Sequence, residues 1–184
     1  MTLIQDVRLR RSWFLLSGLV VLVDQLSKLA VHAWLPGKGA VPVIPGFLNL
    51  AYSRNPGGLF GAFGSWGAPS RTLLLTVLPV LAIGLIGVFL ARVSLRDRAV
   101  LSGFALILGG AVGNLIDRLT RGEVVDFLDV YASSSSLARW FHNRFGTAHW
   151  PTFNLADSAI VTGVCLLTLD AFRSRKRARD VEEN

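Results

Sequence analysis

The 184-residue sequence reads as an all-α membrane protein: a four-transmembrane-helix bundle with a small extracytoplasmic β-sheet and a short interfacial helix or loop. Three observations lead there. Hydrophobic residues make up 52% of the chain and charged residues only 17%, where a soluble domain carries roughly 25% charged residues. Thr72–Ala91 runs for twenty residues without a charge and Ala99–Ile116 for eighteen, enough to cross a hydrocarbon core of about 30 Å. The Lys and Arg residues gather between the apolar stretches, as expected where a charge facing hydrocarbon is strongly disfavoured.

The chain reads as a single integral membrane domain, 1–184, with spans at about 12–34, 72–91, 99–118 and 154–172. The first span is apolar except for Asp24 and Lys28. It follows a basic start, Arg8, Arg10 and Arg11, but has charges in its apolar stretch and no small-x-small cleavage site after it. It is therefore read as a retained helix and not a secretory signal. The second span has only Thr72, Thr76 and a Pro79 kink as polar or breaking features, and is expected to supply wall. The third carries Gly109-Gly-Ala-Val-Gly113, whose Gly-x-x-x-Gly spacing lets helices approach closely. The fourth is apolar except for Asp157 and Asp170.

Orientation follows from the basic flanks. The N-terminal arginines, the connector residues Arg92, Arg96 and Arg98, and the tail residues Arg173, Arg175, Lys176, Arg177 and Arg179 fall on one side. They are eleven of the nineteen basic residues, against six in the longer loops 36–71 and 119–152. Both termini are therefore expected to be cytoplasmic and the loops periplasmic. Val41–Tyr52 has strand-favouring residues in rough alternation, with prolines that suit edge strands or turns. Residues 132–149 look like an insert: a serine run, then Leu137–Phe145 as a short interfacial helix with Trp140 and Phe141 toward lipid.

Composition also excludes functions. The net charge of +7 sits at helix ends, so it speaks for membrane topology and against nucleic acid. The lone Cys165 rules out an internal disulfide. His32, His142 and His149 lack metal-ligand spacing, and no His-Glu-x-x-His is present.

The polar residues of three spans fall at one depth. At 1.5 Å per residue, Asp24 lies about 20 Å from Arg11, Asn114 about 24 Å from Arg98, and Asp157 about 24 Å from Arg173. Lys28 and Arg118 lie slightly further out. Charges within a bilayer normally face a bundle interior or a wet cavity, so one layer implies one site near the outer interface. The layer does not continue across the membrane, which speaks against an ion-coupled transport pathway.

The candidate acids are Asp24, Asp117, Asp126, Asp129 and Asp157. There is no Ser-x-x-Lys and no Gly-x-Ser-x-Gly, and Ser27 and Lys28 diverge on a helix. Carboxylate chemistry remains. Two carboxyl groups held close share a proton, so one member can take a proton from water while the other donates to a carbonyl oxygen. Asp126 and Asp157, each beside an expected outer helix end, are the most suggestive pair.

Five short motifs occur in order on the four spans. They are Asp24-Gln25 with Lys28, Asn55-Pro-Gly-Gly-Leu-Phe60, Gly109–Arg118, Val125-Asp-Phe127 and Phe153-Asn-Leu-Ala-Asp157. Together they resemble bacterial lipoprotein signal peptidase (signal peptidase II, an aspartic peptidase family) over nearly the whole chain. The resemblance implies a membrane aspartic endopeptidase with Asp126 and Asp157 as catalytic dyad. It implies that Asn55, Asn114, Arg118 and Asn154 line or brace the site, with Gly57 in the same loop as Asn55 and with Asp24 and Lys28 in support. The substrate implied is a diacylglyceryl-modified pre-lipoprotein in membrane lipid, cut just before its modified cysteine. No cofactor, metal or nucleic acid is implied, and the chain is expected to work as a monomer.

Two departures stand out: Gly58-Leu59 where the family commonly has two alanines, and a longer stretch between the two aspartates. Simpler roles stand beside the catalytic ones. Asp24 and Lys28, spaced i, i+4, can neutralise each other. Asn114 can bond between helices. Arg118 can pair with Asp117 or reach a substrate. Asp129 is expected to be a solvated loop acid.

Overall fold

The computed structural model describes residues 3–56 and 73–182. Among them are four helices long and apolar enough to cross a membrane. Helix α1 is Leu3–Trp34. A π-turn, Leu73–Val77, runs into α2, Leu78–Arg92. Helix α3 is Arg98–Arg121 and α5 is Leu155–Glu182. Helices α1, α3 and α5 each outrun the apolar stretch expected for them, because their basic end turns stay helical.

Between hydrophobic helices in lipid, water expulsion supplies little attraction, so close packing and polar contacts must hold the bundle. Helix α3 provides both. A Cβ on Gly109 would stand 2.7 Å from the Ser17 carbonyl oxygen of α1, and one on Gly110 would stand 2.8 Å from Ile160 Cγ1 of α5. On the α5 side, a Cβ on Gly163 would lie 2.6 Å from the Gly103 carbonyl oxygen. The glycines thus seat α3 between α1 and α5, as the Gly109/Gly113 spacing predicts. Ser17 Oγ adds a hydrogen bond to the Ala105 carbonyl at 2.9 Å. Helix α2 packs on α3 through Leu90, Leu101 and Ala105, and turns Leu81, Leu85 and Phe89 outward as wall.

The sheet is antiparallel, in the order β1 (Val41–Ile44), β2 (Leu48–Asn55) and β3 (Val124–Val130). The first strand falls inside the 41–52 stretch read as strand-like, and the second begins there and runs on to Asn55. The third corrects the expectation of a helix end or loop around Asp126. Its residues, Val124-Val-Asp-Phe-Leu-Asp-Val130, are rich in β-formers and follow Gly122. Gly122 adopts φ 76°, a left-handed conformation that ends α3 and turns the chain into β3.

Val125 and Phe127 of β3 pack on Val31 and Leu35, which fixes the sheet to the end of α1. On the other side of β3, residues 150–153 add a short extended segment. Phe153 accepts from the Leu128 amide at 2.8 Å and donates back at 3.1 Å, and the Trp150 amide donates to Val130 at 2.8 Å. The insert folds as helix α4, Ser135–Phe145, ended by Gly146 at φ 73°.

Candidate active site

The end of α1, the end of α3, the start of α5 and the strand β3 meet in one polar cluster. Its foundation is a buried ion network. Asp24 and Lys28 are both 0% exposed and lie 2.9 Å apart, one helical turn from each other on α1. Lys28 Nζ is also 2.9 Å from Asp117 Oδ2 of α3 and donates to Asn114 Oδ1 at 3.0 Å. The three protons of the ammonium thus meet three acceptors on two helices. Asp117 is shared with Arg121, one turn further along α3. Two carboxylates and two cations make the cluster neutral, which is how charges survive burial. The expected Asp24–Lys28 neutralisation is therefore only half of a four-residue arrangement.

Arg118 differs from one of its expected roles. Asp117 pairs with Lys28 and Arg121, and Arg118 instead donates to the Asn114 carbonyl oxygen at 3.4 Å. Asp157 and Asp126 both lie near enough for their charges to act on it.

Above this foundation, two asparagines orient one another. Lys28 can only donate, so Asn114 must turn its oxygen toward Lys28. Its Nδ2 then faces Asp157 Oδ1 and donates at 2.7 Å. Asn154 caps α5: its Oδ1 accepts from the Asp157 amide at 2.9 Å, and Asp157 Oδ2 accepts from the Asn154 amide at 3.2 Å. This is a reciprocal capping arrangement, with Asp157 in the first turn, where the helix N-terminus favours an anion. The capping use of Asn154 leaves its Nδ2 aimed the other way, at Asp126 Oδ1, 2.7 Å distant, and at Asn114 Oδ1, 3.1 Å distant. One residue therefore holds both aspartates. Helix α5 is braced again from α1, where Asp24 Oδ1 accepts from the Ala156 amide at 3.0 Å.

Asp126, 2% exposed, takes its second hydrogen bond from Asn55 Nδ2 of β2 at 3.0 Å. Burial pushes its carboxyl up to about 6. The Asn55 hydrogen bond opposes this, the nearby Asp157 charge adds to it, and the Asn154 hydrogen bond and Lys28 charge oppose it. Asp157 is partly exposed, so the pair is sheltered but reachable.

Of the residues singled out from the sequence, Asp24, Lys28, Asn55, Asn114, Arg118, Asp126, Asn154 and Asp157 converge here. Gly57 and the Gly58-Leu59 departure lie outside the described residues. Gln25 entered the sequence analysis only as a motif residue with no role, and Arg121 was given no part in the site. Gln25 Nε2 lies 3.1 Å from Asp24, 3.0 Å from the Gly113 carbonyl and 3.1 Å from Asp117. The spacing of Asp117 and Arg121, identical to that of Asp24 and Lys28, was an available signal. Asp129 is corrected: it is 5% exposed, accepts from Asn49 Nδ2 at 3.0 Å and lies 2.7 Å from His149 Nδ1. Among the described residues, no group of His, Cys, Asp and Glu could hold a metal ion.

The family described as signal peptidase (SPase) II matches residues 16–173. A lipoprotein signal peptidase of Syntrophus aciditrophicus (strain SB) is 43% identical over 164 residues, covering 87% of this chain and 91% of that protein. One of Solibacter usitatus (strain Ellin6076) is 38% identical, covering 90% and 93%. A solved bacterial membrane enzyme shares the fold with a TM-score of 0.73 and 25% identity, over 90% of both chains. With four apolar helices, these likenesses make the chain a multi-pass protein of the bacterial inner membrane: it belongs to the signal peptidase II family of aspartic peptidases.

Proposed function

We propose that the chain cleaves lipid-modified pre-lipoproteins just before the diacylglyceryl-cysteine, with Asp126 and Asp157 activating water. The observation that carries this reading is the double use of Asn154, whose backbone amide and side chain each hold one carboxyl. Asp157, at a helix N-terminus, is assigned as the ionised member. Asp126, which burial makes hold a proton more readily than an ordinary aspartate, is assigned as the member that carries the pair's shared proton when substrate is bound. Asp157 takes a proton from water, whose oxygen attacks the carbonyl carbon while Asp126 donates to the carbonyl oxygen. As the tetrahedral intermediate collapses, Asp157 passes its proton to the leaving amine and Asp126 takes one back. The products are a signal peptide carboxyl and a free cysteine amine. Arg118, charged and beside the pair, is suited to steady the developing charge.

In this reading the site faces the periplasm and both termini are cytoplasmic. The basic clusters at the far ends of α1, α3 and α5 support that orientation. Substrate helix and acyl chains reach the site from the bilayer, and the sheet covers it. The testing experiment incubates purified chain in detergent with a lipidated precursor peptide and its unlipidated twin. Cleavage before the modified cysteine, in the lipidated peptide alone, is expected. A lipidated peptide that stays whole overturns the reading.

The Asp126 carboxyl also links stability to pH. Its folded value, about 6, lies above the ordinary 3.8. The stability tied to its protonated form is complete below the lower value and is lost as pH rises through the upper one, about 3 kcal/mol in all. Asp126→Asn cannot ionise. Between pH 4 and pH 7 the wild-type melting temperature is expected to fall relative to that of the variant. Parallel melting curves would show that burial does not perturb this carboxyl.

A further inference from the structure

Outside the four spans, the exposed large apolar side chains of the described residues are confined to two places. Val43, Ile44 and Phe47 surround the β1–β2 turn, and Leu137, Trp140 and Trp150 belong to the insert and its return. These places are joined. The Gly46 amide donates to the Tyr131 hydroxyl at 2.7 Å, and the Tyr131 amide to the Phe47 carbonyl at 2.9 Å. At the base of the insert, the Ala132 amide donates to Ala148 at 3.0 Å and the Tyr131 ring stacks on His149. Within the insert, Phe141 touches both Trp140 and Trp150 edge-on, at 5.3 and 6.4 Å between ring centres.

The charges of this surface are all of one sign. Residues 131–153 contain Arg139 and Arg144 and no Asp or Glu. Leu137 is 50% exposed and Trp140 57%, and both arginines are exposed beside them. An exposed leucine and tryptophan flanked by arginine on one short helix, with no acid, are the chemistry of a segment lying in a lipid headgroup layer. The outer end of α1 carries the same signature, with Lys38 Nζ 4.1 Å over the Trp34 ring.

We propose that α4, with the β1–β2 turn beside it, is a second membrane contact that binds anionic phospholipid in the leaflet next to the active site. The spans fix the bundle across the bilayer; α4 fixes the height and tilt of the sheet over the lipid surface. The covered faces of Leu137 and Trp140 supply burial, and Arg139 and Arg144 supply selectivity for an anionic headgroup.

The test uses the full chain with Cys165→Ser and Leu137→Cys, the new thiol carrying an environment-sensitive fluorophore. It is placed in vesicles of phosphatidylcholine alone or mixed with phosphatidylglycerol. The label is expected to be quenched by lipid-borne quenchers and shielded from iodide, about twofold or more strongly with phosphatidylglycerol. Arg139→Gln with Arg144→Gln is expected to remove the difference between the two lipids. Iodide quenching in both vesicles would overturn the proposal. So would a label that becomes shielded only when a precursor peptide is added, which would assign the surface to substrate. Because the readout is not turnover, its failure is distinct from failure of the peptidase assignment.

Discussion

Asp126→Asn and Asp157→Asn are each expected to lower lipoprotein-peptide cleavage by about a thousandfold or more, because either change removes one half of the proposed acid–base pair. The two variants should differ in stability. Asn154 Nδ2 and Asn55 Nδ2 both donate to Asp126. An asparagine at 126 can turn its own amide nitrogen toward Asn55, whose side-chain amide carries an acceptor oxygen as well as a donor nitrogen. At 157 both donors are fixed. Asn114 is pinned by Lys28, and the other donor is a backbone amide. Asp157→Asn therefore sets an amide N–H against a donor, at a cost of about 1–3 kcal/mol. Peptide cleavage followed by mass spectrometry, with melting of both variants in the same detergent, measures the two effects. A variant that retains activity within tenfold of wild type would remove its residue from the dyad.

The largest effect on stability is expected from Lys28→Met. The substitution keeps an unbranched chain of similar length but removes the cation between Asp24 and Asp117. Two buried carboxylates then face each other with only Arg121 left to balance them, and breaking such a pair typically costs about 3–5 kcal/mol. Adding Asp24→Asn to Lys28→Met removes one of the stranded charges and is expected to recover part of the loss. Activity is expected to fall along with stability, because Asn114 would lose the contact that sets which end of its amide faces Asp157. A Lys28→Met protein that melts with wild type would show that the network does not hold α1 to α3.

Much of this arrangement was legible in the sequence, for identifiable reasons. A charge inside an apolar helix is so costly that Asp24, Lys28, Asn114 and Asp157 could be placed in one layer by counting residues. Gly109 and Gly113 announced a close helix contact by spacing alone. The third strand was less visible, because seven residues between two helices carry little periodic signal. Asp129 misled for another reason. Its partners, Asn49 and His149, lie 80 and 20 residues away, and burial produced by such distant contacts leaves no local mark. The role of Gln25 was hidden likewise, since its value lies in reaching α3.

The β3 pairing with residues 150–153 has a consequence for how this chain tolerates change. The Phe153–Leu128 and Trp150–Val130 hydrogen bonds and the His149–Asp129 contact close the insert at its neck. The geometry of Asp126 against Asp157 is set below that neck, by Asn154. Segments of different length can hang above it without altering the geometry beneath, so foreign sequence spliced in there is expected to cost the lipid contact of α4 and to spare the chemistry.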